Sequence, residues 1–189
     1  TRDHRSWAHQ SIFGMVGVQR QKSNFALSSR FTFYDLTTTN NFPLLAQNRK
    51  EAELFIDKLK ALAILLEIIL PITGPIEVHS GFRCPALNKA VGSSDKSQHL
   101  RGEAADFSRI GVDTDSDITS LFEDCLTALI SEGISFGQLI RESAGREYSK
   151  KMWVHLSLGL PFRLKEKCGQ VANMVDGKFD LIKIIPFGH

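Results

Sequence analysis

The chain has 189 residues and a mass of 21.1 kDa, with 42% hydrophobic residues, 23% charged residues and a net charge of +2. That suits one ordinary globular domain; it is too short for two large ones and has the wrong composition for a collagen, a coiled-coil rod or a disordered chain. The near-neutral total hides a polarity: residues 1–50 carry 7 basic and 2 acidic side chains, residues 101–150 carry 5 and 10, and residues 151–189 carry 6 and 3. Basic ends suit an anionic polymer surface, but no basic stripe interleaves with aromatics, so a nucleic-acid partner is not expected.

Residues 1–36 read as an N-terminal arm or attachment segment and residues 37–189 as the main domain. The arm begins polar and mixed in charge with no apolar h-region, so no Sec-type signal peptide is expected. Phe31, Phe33 and Leu36 recur with a period near two and predict a short strand over residues 31–36. From Arg49 to about Leu70, Leu54, Phe55, Leu59, Leu62, Leu65, Leu66 and Ile69 follow the spacing of an amphipathic helix, which Pro71 is expected to end. The greasiest stretch, residues 59–75, contains Lys60, Glu67, Pro71 and Pro75 and is too short and polar to span a bilayer.

A strand over residues 76–80, a short helix over 85–91 opened by proline, a loop over 92–95 and a strand over 104–107 come next. Thr114 with Asp117 three residues on forms a capping box for a second long helix, with Ile118, Leu121, Phe122, Cys125, Leu126, Leu129 and Ile130 on one side and Gly133 closing it. Strands over 134–140 and 152–158 flank a polar loop, and Val175-Asp176-Gly177-Lys178 predicts a tight hairpin turn. The pattern predicts an α+β fold: a small antiparallel sheet with helices packed on one face. Cys84, Cys125 and Cys168 form no CxxC pair, so neither a disulfide framework nor a cysteine-rich zinc knuckle is signalled, although a single bridge stays open.

Of the six histidines, His4, His9, His79, His99, His155 and His189, two sit where strands could support a polar site. His99 precedes Asp106 by seven residues, and Gly102 followed by Ala-Ala-Asp-Phe favours a loop entering a strand, which can bring imidazole and carboxylate to one sheet edge. His155 shares a strand face with Trp153 and Ser157. Two imidazoles and a carboxylate leave a fourth tetrahedral position on zinc for water, the arrangement that metal-assisted hydrolysis needs. On spacing alone, ordinary core or surface histidines remain the alternative.

Three blocks change the weighting. Ser80-Gly81-Phe82-Arg83-Cys84-Pro85-Ala86-Leu87-Asn88, then Ser97-Gln98-His99-Leu100-Arg101-Gly102-Glu103-Ala104-Ala105-Asp106, then Trp153-Val154-His155-Leu156-Ser157 resemble, in order and spacing, signature blocks of the M15 peptidases. This group comprises zinc D,D-peptidases and L-alanyl-D-glutamate peptidases and shares its fold with the Hedgehog signalling domain. The resemblance implies a Zn2+ cofactor held by His99, Asp106 and His155. It implies that Arg83 receives a substrate carboxylate or carbonyl, a role suited to a forked, permanently charged donor, with a surface or structural salt bridge as the alternative. It further implies that Ser97 and Gln98 bind substrate backbone or order the metal loop, and that Gly102 allows close backbone approach between the metal-binding residues.

Members of the group commonly place an acidic general base three residues before the last ligand, a position held here by Met152. Gln138-Leu139-Ile140-Arg141-Glu142 ahead of Trp-Val-His resembles phage-type members and makes Glu142 the expected base, with Glu147 as the alternative. The implied activity is zinc-dependent hydrolysis of peptidoglycan stem or cross-bridge peptides, of D,D-carboxypeptidase or endopeptidase type. The implied source is a bacteriophage or prophage endolysin or a virion-associated wall hydrolase, held in the host cytoplasm before release or carried on the virion or tail. The rival expectation, for which Met152 speaks, is a non-catalytic zinc-containing wall-binding or virion structural module.

Overall fold

The computed structural model describes residues 24–111, 114–145, 151–159, 168–176 and 178–186. Among these, the helices are α1 (Phe42–Ala52), α2 (Ile56–Thr73), α3 (Pro85–Ala90) and α4 (Asp115–Ser131). The strands are β1 (Ile76–Ser80), β2 (Ala104–Arg109), β3 (Phe136–Ala144), β4 (Lys151–Leu158), β5 (Cys168–Val175) and β6 (Lys178–Pro186). They form one sheet in the order β1-β2-β4-β3-β5-β6. The fold is α+β, but the sheet is mixed rather than wholly antiparallel: β3 and β5 run parallel, Gln138 beside Gln170 and Glu142 beside Met174. β5 follows β4 in sequence yet joins the other edge of β3, and two strands that sandwich a third can be antiparallel to each other while one of them parallels the middle strand.

The helical region starts earlier than the apolar periodicity suggests. α1 begins at Phe42 with Pro43 in its first turn, where the missing N–H costs nothing, and a 3-10 turn at Glu53–Phe55 separates it from α2. Pro71 lies inside α2 and does not end it. In the last turn a proline forfeits one main-chain bond, and the helix runs on to Thr73 before Gly74, at φ 72°, caps it by donating its N–H to the Leu70 carbonyl at 2.9 Å. α4 starts as expected: Thr114 Oγ1 accepts from the Asp117 N–H at 3.2 Å, and Asp117 Oδ2 in turn accepts from the Thr114 hydroxyl.

The strand expected over residues 31–36 does not form. A single bridge pairs Ala26 with Thr32, and the chain then enters a 3-10 turn at Asp35–Thr37. Phe31, Phe33 and Leu36 are all buried, so the alternation reported burial, which needs no ladder. With Leu27 they belong to the main core, so residues 24–36 are packed into the domain. Residues 1–23, most of the expected arm, lie outside the described residues. Cys84 and Cys125 are buried free thiols.

The sheet has two unlike faces. Phe107 of β2, Leu139 of β3, and Val154 and Leu156 of β4 are fully buried in the core with Leu59, Leu62, Leu66 and Ile69 of α2 and Ile118, Leu121, Cys125 and Leu129 of α4. Because side chains alternate, the neighbours of those strand residues, Asp106, Ser108, Ile140, Glu142, Trp153 and His155, stand on the opposite face, which carries no helix core.

Candidate metal centre

The site is assembled where that open face meets two loops. β2 and β4 pair with Asp106 directly opposite His155, so a carboxylate and an imidazole are brought together by strand register. His99 arrives from a 3-10 turn, Gln98–Arg101, whose first backbone N–H groups are partly satisfied by Ser97: its Oγ accepts from the His99 N–H at 3.3 Å. Gly102 ends this turn in the left-handed region at φ 65°, and a Cβ there would meet Phe55 and Leu59. Its role is to reverse the chain into β2. The tight backbone approach near the site is at Gly81, where a Cβ would fall 2.3 Å from the Leu36 carbonyl oxygen, and it is not between metal-binding residues.

His99 Nε2, Asp106 Oδ1 and His155 Nδ1 converge: 3.2 Å separates His99 from Asp106, 2.8 Å separates His155 from Asp106, and 3.3 Å separates the two imidazoles. All three residues are buried. The remaining ring nitrogens decide the tautomers. His99 Nδ1–H donates to the Gly81 carbonyl at 2.6 Å, and His155 Nε2–H donates to Gln98 Oε1 at 3.1 Å. With both ring hydrogens directed outward, three lone-pair acceptors face one another, which is unfavourable unless a cation lies among them. Ligands about 2.0–2.1 Å from a tetrahedral zinc stand about 3.3 Å apart, so the observed spacing and the N2O donor set fit zinc.

The protonation states agree. Burial pushes the His99 imidazole below its ordinary value, against the pull of Asp106, and so favours the neutral ring that a metal ligand needs. Burial alone would raise the Asp106 carboxyl, but where a proton on an imidazole stands in for the cation, the charge and hydrogen bonds of His99 and His155 outweigh it and hold the group well below the usual carboxylate range. Asp106 is also gripped from behind: its Oδ2 accepts from Arg83 Nη2, while Arg83 Nε donates to Ser80 Oγ at 2.7 Å.

Arg83 is fixed by a network that sequence reasoning missed. Asn48, fully buried on α1, donates through Nδ2 to the carbonyls of Thr37 at 3.1 Å and Phe82 at 3.0 Å, and its Oδ1 accepts from the Cys84 N–H at 2.7 Å. The Phe82 N–H donates to the Leu36 carbonyl at 2.8 Å and the Arg83 N–H to the His99 carbonyl at 3.1 Å. The sequence carries no signal for it, since the apolar periodicity begins only at Arg49, after Asn48.

The triad opens into a cavity of about 700 Å³ that Arg83, Gln98, Glu142 and Trp153 also line. Glu142 pairs with Trp153 across the β3–β4 ladder and so stands on the same face as His155. Burial, the main influence, raises its carboxyl above the ordinary value; the charge of Asp106 adds to this, while His155 and Arg83 oppose it. The Trp153 indole N–H is buried near that carboxylate without normal hydrogen-bond geometry and pulls on it only weakly. Met152, three residues before His155, is half-buried, packs against the core and also borders a cavity that Asp106 lines. Glu147 lies outside the described residues.

A family model described as Peptidase M15 matches residues 35–132, just over half of the chain. The chain belongs to the peptidase M15 family. The matched segment holds Arg83, His99 and Asp106, and β4 supplies the third member of the His/Asp/His metal-binding triad beyond its end. A comparison with curated proteins found no match. No described helix is long and apolar enough to cross a membrane.

Proposed function

We propose that this M15 domain is a zinc-dependent peptidase that hydrolyses a peptide bond in the stem or cross-bridge peptides of bacterial peptidoglycan. The observation that carries the reading is the convergence of three buried acceptors, with both imidazole hydrogens turned away, beside a carboxylate of raised proton affinity. Zinc, held by His99, Asp106 and His155, would supply Lewis-acid polarisation of a carbonyl and acidify the attacking water.

The chain's own residues account for the rest. Glu142 accepts the proton of that water and returns it to the leaving amine, a task helped by a pKa moved toward neutrality. Arg83 fixes the Asp106 carboxylate through one nitrogen and lines the cavity, where the guanidinium receives a substrate carbonyl or carboxylate. Gln98 and Ser97 order the ligands: Gln98 fixes the His155 ring and Ser97 caps the turn that carries His99, which favours the second of their two expected roles.

A phage or prophage origin, as an endolysin or a virion-associated wall hydrolase, is supported by the Gln138–Glu142 block and its likeness to phage-type members. Mass spectrometry of muropeptides after digestion tests the whole reading. Zinc-loaded protein releases defined fragments, whose masses identify the bond; chelation stops release and added zinc restores it. Intact muropeptides alongside stoichiometric bound zinc would instead assign the domain to the non-catalytic alternative.

A further inference from the structure

A second cavity, about 330 Å³, adjoins the first. Asp106 and Trp153 line both, so the triad's carboxylate borders a cavity on each side, and the second is an arm flanking the site. The second arm is bordered by Asn40, His79, Ser80, Ser108 and Lys151, with Trp153 and Met152 as apolar walls. None of its polar groups is used in the chemistry described above apart from Ser80, which supports Arg83.

The arm is built to receive negative charge. Its one lining carboxylate, Asp106, is already committed, Oδ1 to the imidazoles and Oδ2 to Arg83. Ser80 Oγ accepts from Arg83 Nε, which leaves its hydroxyl hydrogen to donate. Lys151, Trp153 and His155 occupy alternate positions of β4 and share the site face, so Lys151, exposed at the start of the strand, stands four residues from His155, about 13 Å along the backbone. Among the described residues, no carboxylate pairs with Lys151. His79 Nε2 and Ser108 Oγ hold each other at 2.7 Å and fix the outer wall.

From this placement we infer that the Lys151 arm is a subsite for a carboxylate carried by the peptide some residues away from the bond that is cut, with Lys151 as the specificity-determining cation and Ser80 as a supporting donor. The inference rests on the proposed peptidase reading and adds to it a preference for acidic peptide. In a stem peptide the carboxylate has two sources, the α-carboxylate of the γ-linked D-glutamate and the chain terminus.

The test uses zinc-loaded protein and three synthetic probes: L-Ala-γ-D-Glu-L-Lys-D-Ala-D-Ala, the same peptide with the glutamate α-carboxylate amidated, and the same peptide with a terminal carboxamide. One amidation is expected to lower kcat/KM by roughly 10- to 100-fold, the range for a charge-assisted hydrogen bond, and that probe names the source. Lys151→Met should bring the acid-to-amide ratio toward one, Lys151→Glu should invert it, and Lys151→Arg should restore most of it. A ratio that is the same in wild type and Lys151→Met, or a wild type indifferent to both amidations, overturns the subsite. Calorimetric binding of the same probes separates this from the reading beneath it: an acid-over-amide affinity ratio that depends on Lys151 upholds the subsite even if no probe is cleaved, and a ratio of one overturns it.

Discussion

The two faces of the sheet are made by alternate residues of the same strands and obey opposite rules. Toward the helices, Phe107, Leu139, Val154 and Leu156 meet α2 and α4 with no polar atom among their side chains, and burial itself stabilises the arrangement. One residue along, Asp106 and His155 are nearly as buried, yet burial there is a cost, offset by Arg83, Gln98, the Gly81 carbonyl and the cation that the three acceptors require. Stability and chemistry are thus separated by one strand step. Substitutions should separate them as well.

The sharpest separation is expected at the triad. His99→Ala should remove stoichiometric zinc and reduce muropeptide cleavage to background while the far-ultraviolet circular dichroism remains native; cleavage at wild-type rate would remove the metal from the account. Glu142→Gln comes next. It should keep zinc but lower kcat by roughly 10²- to 10⁴-fold, the usual contribution of a general base. Its pH behaviour carries a sign. A carboxyl whose folded pKa is raised opposes folding at pH above its unfolded pKa, so Glu142→Gln should raise the thermal midpoint of the metal-free protein at neutral pH. The acid limb of kcat/KM, rising as Glu142 ionises, should lie above the ordinary glutamate range and vanish in the variant.

A smaller effect belongs to Gln98. Gln98→Ala frees the outward nitrogen of His155 and should weaken zinc by about 10- to 100-fold, as loss of an outer hydrogen bond to a metal ligand commonly does. On the other face, Leu66→Ala should cost about 2–5 kcal/mol of stability by opening a cavity, yet leave zinc affinity and kcat of the folded protein near wild type. A Leu66→Ala variant that lost zinc while still folded would show that the two faces are coupled after all.

Much of this was legible in the sequence, and the reasons differ by element. The α4 cap, the Gly133 stop and the β5–β6 hairpin are local, written within a few residues, and needed no tertiary information. The parallel pairing of β3 with β5 joins residues about thirty apart in sequence and leaves no local trace. The period of two at Phe31, Phe33 and Leu36 was real, but a turn and a loop can bury alternate residues as well as a strand can. The triad was readable because its residue types are unusual and its blocks are ordered. Most of the supports were not: Gln98 was marked with two roles left open, while Asn48 and the Gly81 carbonyl act on partners chosen by folding. Met152 shows the reverse case: the position marked by the family pattern carries no acid, and a carboxylate reaches the triad's cavity from the neighbouring strand, at Glu142.

The central claim is that His99, Asp106 and His155 face inward as three acceptors awaiting a cation, and thermal unfolding of the chelated protein titrated with zinc tests it most directly. The account predicts a midpoint that climbs with zinc concentration, corresponding to about 4 kcal/mol at a thousandfold excess over Kd, and a His155→Ala variant that does not respond. A wild-type midpoint indifferent to zinc, in protein shown to be folded, would contradict it.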